Sequence, residues 1–157
     1  MYNKWVSMKK WLYKDQDSTR EFRTVQDFPE DTFGFVYKIT NICDGRIYVG
    51  KKVLFNNLTK TLTKKEILEW RGPGRVPRKK KVQKESDWES YWGSNKQIKE
   101  DLKNMGEKCF TREILTLCRT KKQLTYYEVY WQMKLDVIAI DSYNDNIQGK
   151  FYRKDLE

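Results

Sequence analysis

The stretch Gly34-Phe-Val-Tyr-Lys-Ile-Thr-Asn-Ile-Cys-Asp-Gly-Arg-Ile-Tyr-Val-Gly50 constrains the fold more than any other part of the chain. Phe35, Val36, Tyr37, Ile39 and Thr40 are β-branched or aromatic and predict one strand, and Ile47, Tyr48 and Val49 predict a second. Asp44-Gly45 between them predicts a two-residue hairpin turn, because glycine tolerates the positive φ of a type I′ turn. In that register Asn41 faces Tyr48 and Tyr37 faces Lys52. Cross-strand partners share a face, so Tyr37, Ile39, Asn41, Tyr48, Gly50 and Lys52 line one side of the hairpin. Two tyrosines, an amide, a lysine and a glycine make that face too polar for plain core.

The chain has no histidine. Ser-His-Asp and Cys-His chemistry, histidine-ligated zinc and histidine general bases are therefore excluded. Any catalysis must use tyrosine, carboxylate, lysine, arginine or a metal. At 157 residues the chain predicts one domain with a modest core. Its 32 basic and 22 acidic residues leave a formal charge of +10, which points to an anionic partner such as nucleic acid or else to a solubilising surface. No apolar run approaches the ~18–20 residues of a membrane span, and the first residues lack a signal-peptide apolar core. Cys43, Cys109 and Cys118 are odd in number and lack zinc-finger spacing, so a reducing, cytoplasmic setting is expected.

Residues 1–33 read as an N-terminal arm or short helix, with Trp5, Met8 and Leu12 on one stripe. After Gly50 the strand is expected to run through Phe55 and to end at Asn56-Asn57. Thr63 and Glu66 form a capping box before Ile67, and Gly72-Pro73-Gly74 stops that helix. Residues 59–84 hold ten Lys or Arg against two Glu, a net +8. The centre of this segment, Arg75 and Arg78-Lys79-Lys80-Lys81, is expected to be a solvated loop, and beside nucleic acid a phosphate-contacting one. Ser94 is the expected N-cap of a helix with Ile98, Leu102 and Met105 on one side, closed by Gly106. A third strand is expected over Phe110–Cys118 and a helix over 121–135. On that last helix Glu128 shares the face of Leu124, Trp131 and Leu135. A lone carboxylate in an apolar stripe is costly to bury unless it pairs with a lysine or binds a cation. The sequence leaves both open. A polar, turn-like tail follows Ser142.

Val36-Tyr37, ten further residues and Tyr48-Val49-Gly50 resemble the paired signature of the GIY-YIG nuclease superfamily, with Phe35 standing where its first glycine belongs. Glu128-Val129-Tyr130-Trp131 is similar to that family's glutamate helix, and Asn144 after Tyr143 to its last motif. Trp88, Tyr91-Trp92-Gly93-Ser94 looks like a subset of phage-encoded, homing-endonuclease-like members. The resemblance spans about residues 34–147. It implies an α+β fold with a small three-stranded antiparallel sheet flanked by helices over 34–157, with a basic insertion at about 59–87. It further implies a metal-dependent endonuclease acting on duplex DNA, with Glu128 holding Mg²⁺ or Mn²⁺. Tyr37 would be the general base, Tyr48 would orient water or phosphate, Tyr91 would fill a third position and Asn144 would support the glutamate or the backbone geometry. The family's helix arginine has no counterpart, since its position is Leu58. The implied cation is then Lys51, Lys52, Arg71, Arg75 or Arg78, with Lys79, Lys80 and Lys81 also on DNA. A DNA- or RNA-binding module without cleavage is the alternative. No further DNA-reading segment follows residue 157, so limited specificity is expected.

Overall fold

A computed structural model of the chain describes residues 10–157. Trp5 and Met8 lie outside the described residues. The chain divides into two compact units, residues 55–86 and the remainder.

The larger unit carries β1 (Trp11–Lys14), β2 (Thr19–Phe22), β3 (Gly34–Asn41) and β4 (Ile47–Val53). In the smaller unit lie β5 (Phe55–Thr61), α1 (Lys64–Leu68) and β6 (Lys79–Glu85). The larger unit resumes with α2 (Lys96–Met105), β7 (Phe110–Cys118), α3 (Lys121–Lys134), β8 (Asn146–Ile147) and β9 (Phe151–Tyr152).

The three expected strands are present, and β7 and β4 both pair antiparallel with β3. The sheet is larger than expected, however. It has five strands in the order β2-β1-β7-β3-β4, and β1 runs parallel to β7, so it is mixed. The correction comes from the first 33 residues. Leu12 lies in a strand, and Trp11, Phe22 and Phe28 are buried against Phe35, Tyr37 and Trp88. The rings meet mostly edge to face, as for Trp11 and Phe35 at 5.1 Å and Phe28 and Trp88 at 4.9 Å. Charged residues between 15 and 23 hid these few aromatic anchors from a periodicity reading.

The hairpin also departs from its expected register. Tyr37 faces Gly50 and Ile39 faces Tyr48. The loop is four residues long, with the Asn41 N–H donating to Arg46 O and the Gly45 N–H donating to Asn41 O. Asn41 Oδ1 accepts from Cys43 N and Asp44 Oδ1 from Arg46 N, so two side chains take up backbone donors that a tighter turn would pair. Gly45 has the expected positive φ, +84°. The slip is two residues, so every side chain stays on its expected face. Tyr37 and Ile39 join the aromatic core, while Val36 and Val49 pack with Leu124 of α3 on the other side. Ile98 places α2 against the aromatic side. The helix is capped by Asn95, one residue later than expected, whose Oδ1 accepts from Ile98 N.

Cys43 and Cys109 are disulfide-bonded, with Cα atoms 5.5 Å apart, and only Cys118 is a free, buried thiol. The odd cysteine count therefore does not keep all three reduced. Residues 142–150 are not a polar tail either: Tyr143, Asn144 and Ile147 are buried, and β8 pairs with β9. No helix among the described residues is long and apolar enough to cross a membrane.

The smaller unit is a two-stranded antiparallel ribbon. Asn56 and Asn57 do not end a strand but lie within β5, and Lys79–Lys81 belong to β6 rather than to a loop. Alternation hides in this segment because polar residues occupy both faces of a ribbon that is exposed on both. Between the strands Thr63 and Glu66 form the expected capping box, and Leu62 N donates to Arg78 O.

Candidate active site

The outer edge of the sheet is β4, and its backbone is covered by side chains and by the segment after α3. Asn144 Oδ1 accepts from Val49 N at 2.9 Å while its Nδ2 donates to Val49 O at 2.9 Å. Gln132 Nε2 donates to the same carbonyl at 3.1 Å, and Tyr143 N donates to Ile47 O. Asn144 thus mimics a neighbouring strand and fixes the middle residue of Tyr48-Val49-Gly50.

Gly50 creates space at this edge. A Cβ there would lie 2.6 Å from Tyr37 Oη and 3.0 Å from Tyr48 Cε1. Gly93, with φ +82°, closes over the same two rings. Tyr91 meets Tyr37 edge to face, with centroids 6.0 Å apart, and Tyr48 Oη and Ser94 Oγ share a hydrogen bond of 3.2 Å. Burial, and after it the neighbouring Tyr48 and Tyr91, push the Tyr37 phenol well above its usual pKa. Burial raises Tyr48 as well, with the Ser94 hydrogen bond opposing it. Lys52 Nζ sits 3.8 Å from the Tyr91 ring centroid and pairs with Asp87 at 2.6 Å.

A cleft of about 370 Å³ opens beside these residues, lined by Tyr48, Lys51, Glu128, Gln132, Asn144 and Gln148 among others. Tyr37 does not line it, being 1% exposed behind Tyr48 and Gly50. Glu128 is mostly buried, and Lys51 Nζ lies 2.8 Å from its carboxylate. Gln148 Nε2 donates to the same carboxylate at 2.9 Å. One helical turn on, Gln132 turns its Oε1 into burial with no hydrogen-bond partner. A second cleft shares Ser94, Asn95, Tyr143 and Asp145 with the first and adds Arg46.

Tyr37, Tyr48, Lys51, Lys52, Tyr91, Glu128 and Asn144 are therefore drawn to one edge of one sheet. Arg71, Arg75, Arg78, Lys79, Lys80 and Lys81 lie in the smaller unit. There Arg71 donates to Leu68 O and Trp70 O, and Lys80 pairs with Glu66. Leu58, at the family's arginine position, lies in β5 rather than on a helix.

Sequence reasoning missed Gln132, Arg46 and Asp101. Gln132 carried a signal, since it follows Glu128 by one helical turn. Arg46 bonds Asp44 and Asp101, and its guanidinium lies 4.3 Å from the Tyr143 ring centroid. Tyr143 Oη donates to Asp101 Oδ2 at 2.7 Å and accepts from Asn41. Nothing in the local sequence joins residues so far apart. Arg112 was missed too. It is buried between Trp11 and Trp92, and its Nη1 donates to Glu89 O and Tyr91 O, holding the loop that carries Tyr91.

A glutamate helix and two hairpin tyrosines meeting at a strand edge define a GIY-YIG type of domain. A family model described as "Putative endonuclease segE, GIY-YIG domain" matches residues 11–156, and the chain belongs to that family. Neither the curated proteins nor the solved structures give a match.

Proposed function

We propose that the chain is a metal-dependent endonuclease that hydrolyses phosphodiester bonds of duplex DNA at the cleft beside β4. The observation that carries this reading is the meeting of Glu128, Lys51, Tyr48 and Gln132 around one opening. The donor atoms are hard oxygens, and no group of three or more His, Cys, Asp or Glu is present among the described residues. That set fits Mg²⁺ or Mn²⁺, since Mg²⁺ accepts one carboxylate and keeps several waters. Glu128 would hold the ion. A bound ion of this kind supplies Lewis acidity toward a phosphate oxygen.

The protein's own groups do the rest. Lys51, at the same opening as Glu128, would place its ammonium beside the negative charge that develops on phosphate. This makes Lys51 the replacement for the family's arginine, without the bidentate fork. Tyr48, exposed to the cleft, orients water or phosphate. Tyr37 stands behind it and stays a neutral phenol until a positive charge lowers its pKa, which is the condition for its service as a base. Lys52, over the Tyr91 ring, is a positive charge on the same face of the hairpin as Tyr37.

Nicking of supercoiled plasmid with and without Mg²⁺ tests the reading. Wild type should convert plasmid to open circle only with the ion, and Glu128→Gln should lose that conversion by at least ~10²-fold. Binding without nicking in all divalent ions would instead support the non-catalytic module. The absence of the family's helix arginine, with Leu58 at its position, favours that second reading.

A further inference from the structure

The ribbon's two faces differ. Asn56 with Lys84, Leu58 with Val82 and Lys60 with Lys80 occupy one, where an apolar pair sits at the centre and Lys80 is tied to Glu66 of α1. The other carries three successive polar cross-strand pairs: Asn57 with Gln83, Thr59 with Lys81, and Thr61 with Lys79. All six are exposed, and none of their side chains is committed to a hydrogen bond or ion pair among the described residues. The charge is concentrated here as well. Residues 55–86 hold ten Lys or Arg and three Glu, net +7, which leaves +3 for the rest of the chain's total of +10.

We propose that this ribbon enters the major groove of duplex DNA and that Asn57 and Gln83 read base edges there. A two-stranded β-ribbon is one of the shapes the major groove admits, and Asn or Gln bonds adenine N6 and N7 bidentately. Directly opposed residues have Cβ atoms about 5 Å apart, so the two amides fall on the same or neighbouring base pairs. Pairs on one face recur every two residues, about 6.8 Å, close to two base-pair steps of about 3.4 Å. Lys79 and Lys81 then follow along the same face, where they supply attraction to the backbone without sequence information. The ribbon's seven paired positions limit readout to a few base pairs.

The inference rests on duplex DNA being the substrate, and its test needs no cleavage. The full chain is bound, without divalent ion, to a pool of random-sequence duplexes, and the retained fraction is sequenced. Wild type should enrich adenine at one or two neighbouring positions by about tenfold, the lower part of the range for one bidentate contact. Asn57→Ala/Gln83→Ala should erase that enrichment while keeping wild-type salt dependence. Gln83→Glu, which keeps size but presents only acceptors, should move the preference at its position toward cytosine. Lys79→Ala/Lys81→Ala should weaken binding to all sequences alike and flatten the log K against log salt slope by about two. Absence of base preference in wild type, or an unaltered preference in both amide variants, overturns the assignment. A protein that selects sequence but never nicks plasmid overturns the nuclease reading and leaves this one standing.

Discussion

The hydroxyl of Tyr37 occupies the place where a side chain at Gly50 would begin: a Cβ at position 50 would lie 2.6 Å from Tyr37 Oη and 2.8 Å from its Cζ. The glycine of the second strand is thus a hole cut for the phenol of the first. Gly50→Ala should cost about 1–3 kcal/mol as an overpacked core does, read by denaturant unfolding. Its cost should shrink in the Tyr37→Phe background, because the closest atom is gone. Additive costs would show that the ring and the glycine do not compete for the same space.

Lys51 and Glu128 form the ion pair at the cleft. Lys51 is partly exposed, so the pair is worth under about 1 kcal/mol and Glu128→Gln should unfold near wild type. Lys51→Ala should act oppositely on two readouts. The thermal shift produced by Mg²⁺ should begin at lower ion concentration, because the competing ammonium is gone, while nicking should slow. A Mg²⁺ response identical to wild type would separate Lys51 from the ion site.

Asn144 makes two hydrogen bonds with the buried backbone of Val49. Asn144→Ala leaves the Val49 N–H unpaired, at about 1–3 kcal/mol, while Val49 O keeps the hydrogen bond from Gln132. Asn144→Asp should be no milder, since a carboxylate oxygen replaces the donor that meets Val49 O. Hydrogen exchange at the Val49 amide gives the local readout, and its protection should fall in both variants.

Acid stability should depend on Asp101. The hydrogen bond from Tyr143 and, less strongly, those from Gln97 and Arg46 hold its carboxyl below the usual value, against the opposing effect of burial. Its folded-state pKa is depressed, so the stabilisation is complete above about pH 4, the ordinary Asp value, and is lost as pH falls through the folded value. Tyr143→Phe removes the largest lowering contact and should flatten the decline in melting temperature below pH 4. An acid limb as steep as wild type would clear this network of the role.

The hairpin, the capping box, the β7 strand and the glutamate helix were legible because each rests on residues close in sequence. The fold's first two strands were not, since their few aromatic residues gain meaning only against partners far along the chain, as Trp11 does when its Nε1 donates to Trp88 O. Glu128 was legible as an anomaly in an apolar stripe, but its partner was not, because Lys51 comes from β4, far back along the chain. The basic ribbon was legible as charge and opaque as structure, since alternation cannot be seen when both faces are polar.

The Cys43–Cys109 bond closes a covalent ring across a separation of 66 residues, and the whole of residues 55–86 lies on that ring. A protease cutting once after Lys79, Lys80 or Lys81 would therefore sever the backbone and release nothing. The two fragments would stay joined on a non-reducing gel and part only with reductant. In topological terms the ribbon is a handle on a closed loop, a part that can be nicked and lengthened without cutting the larger unit in two.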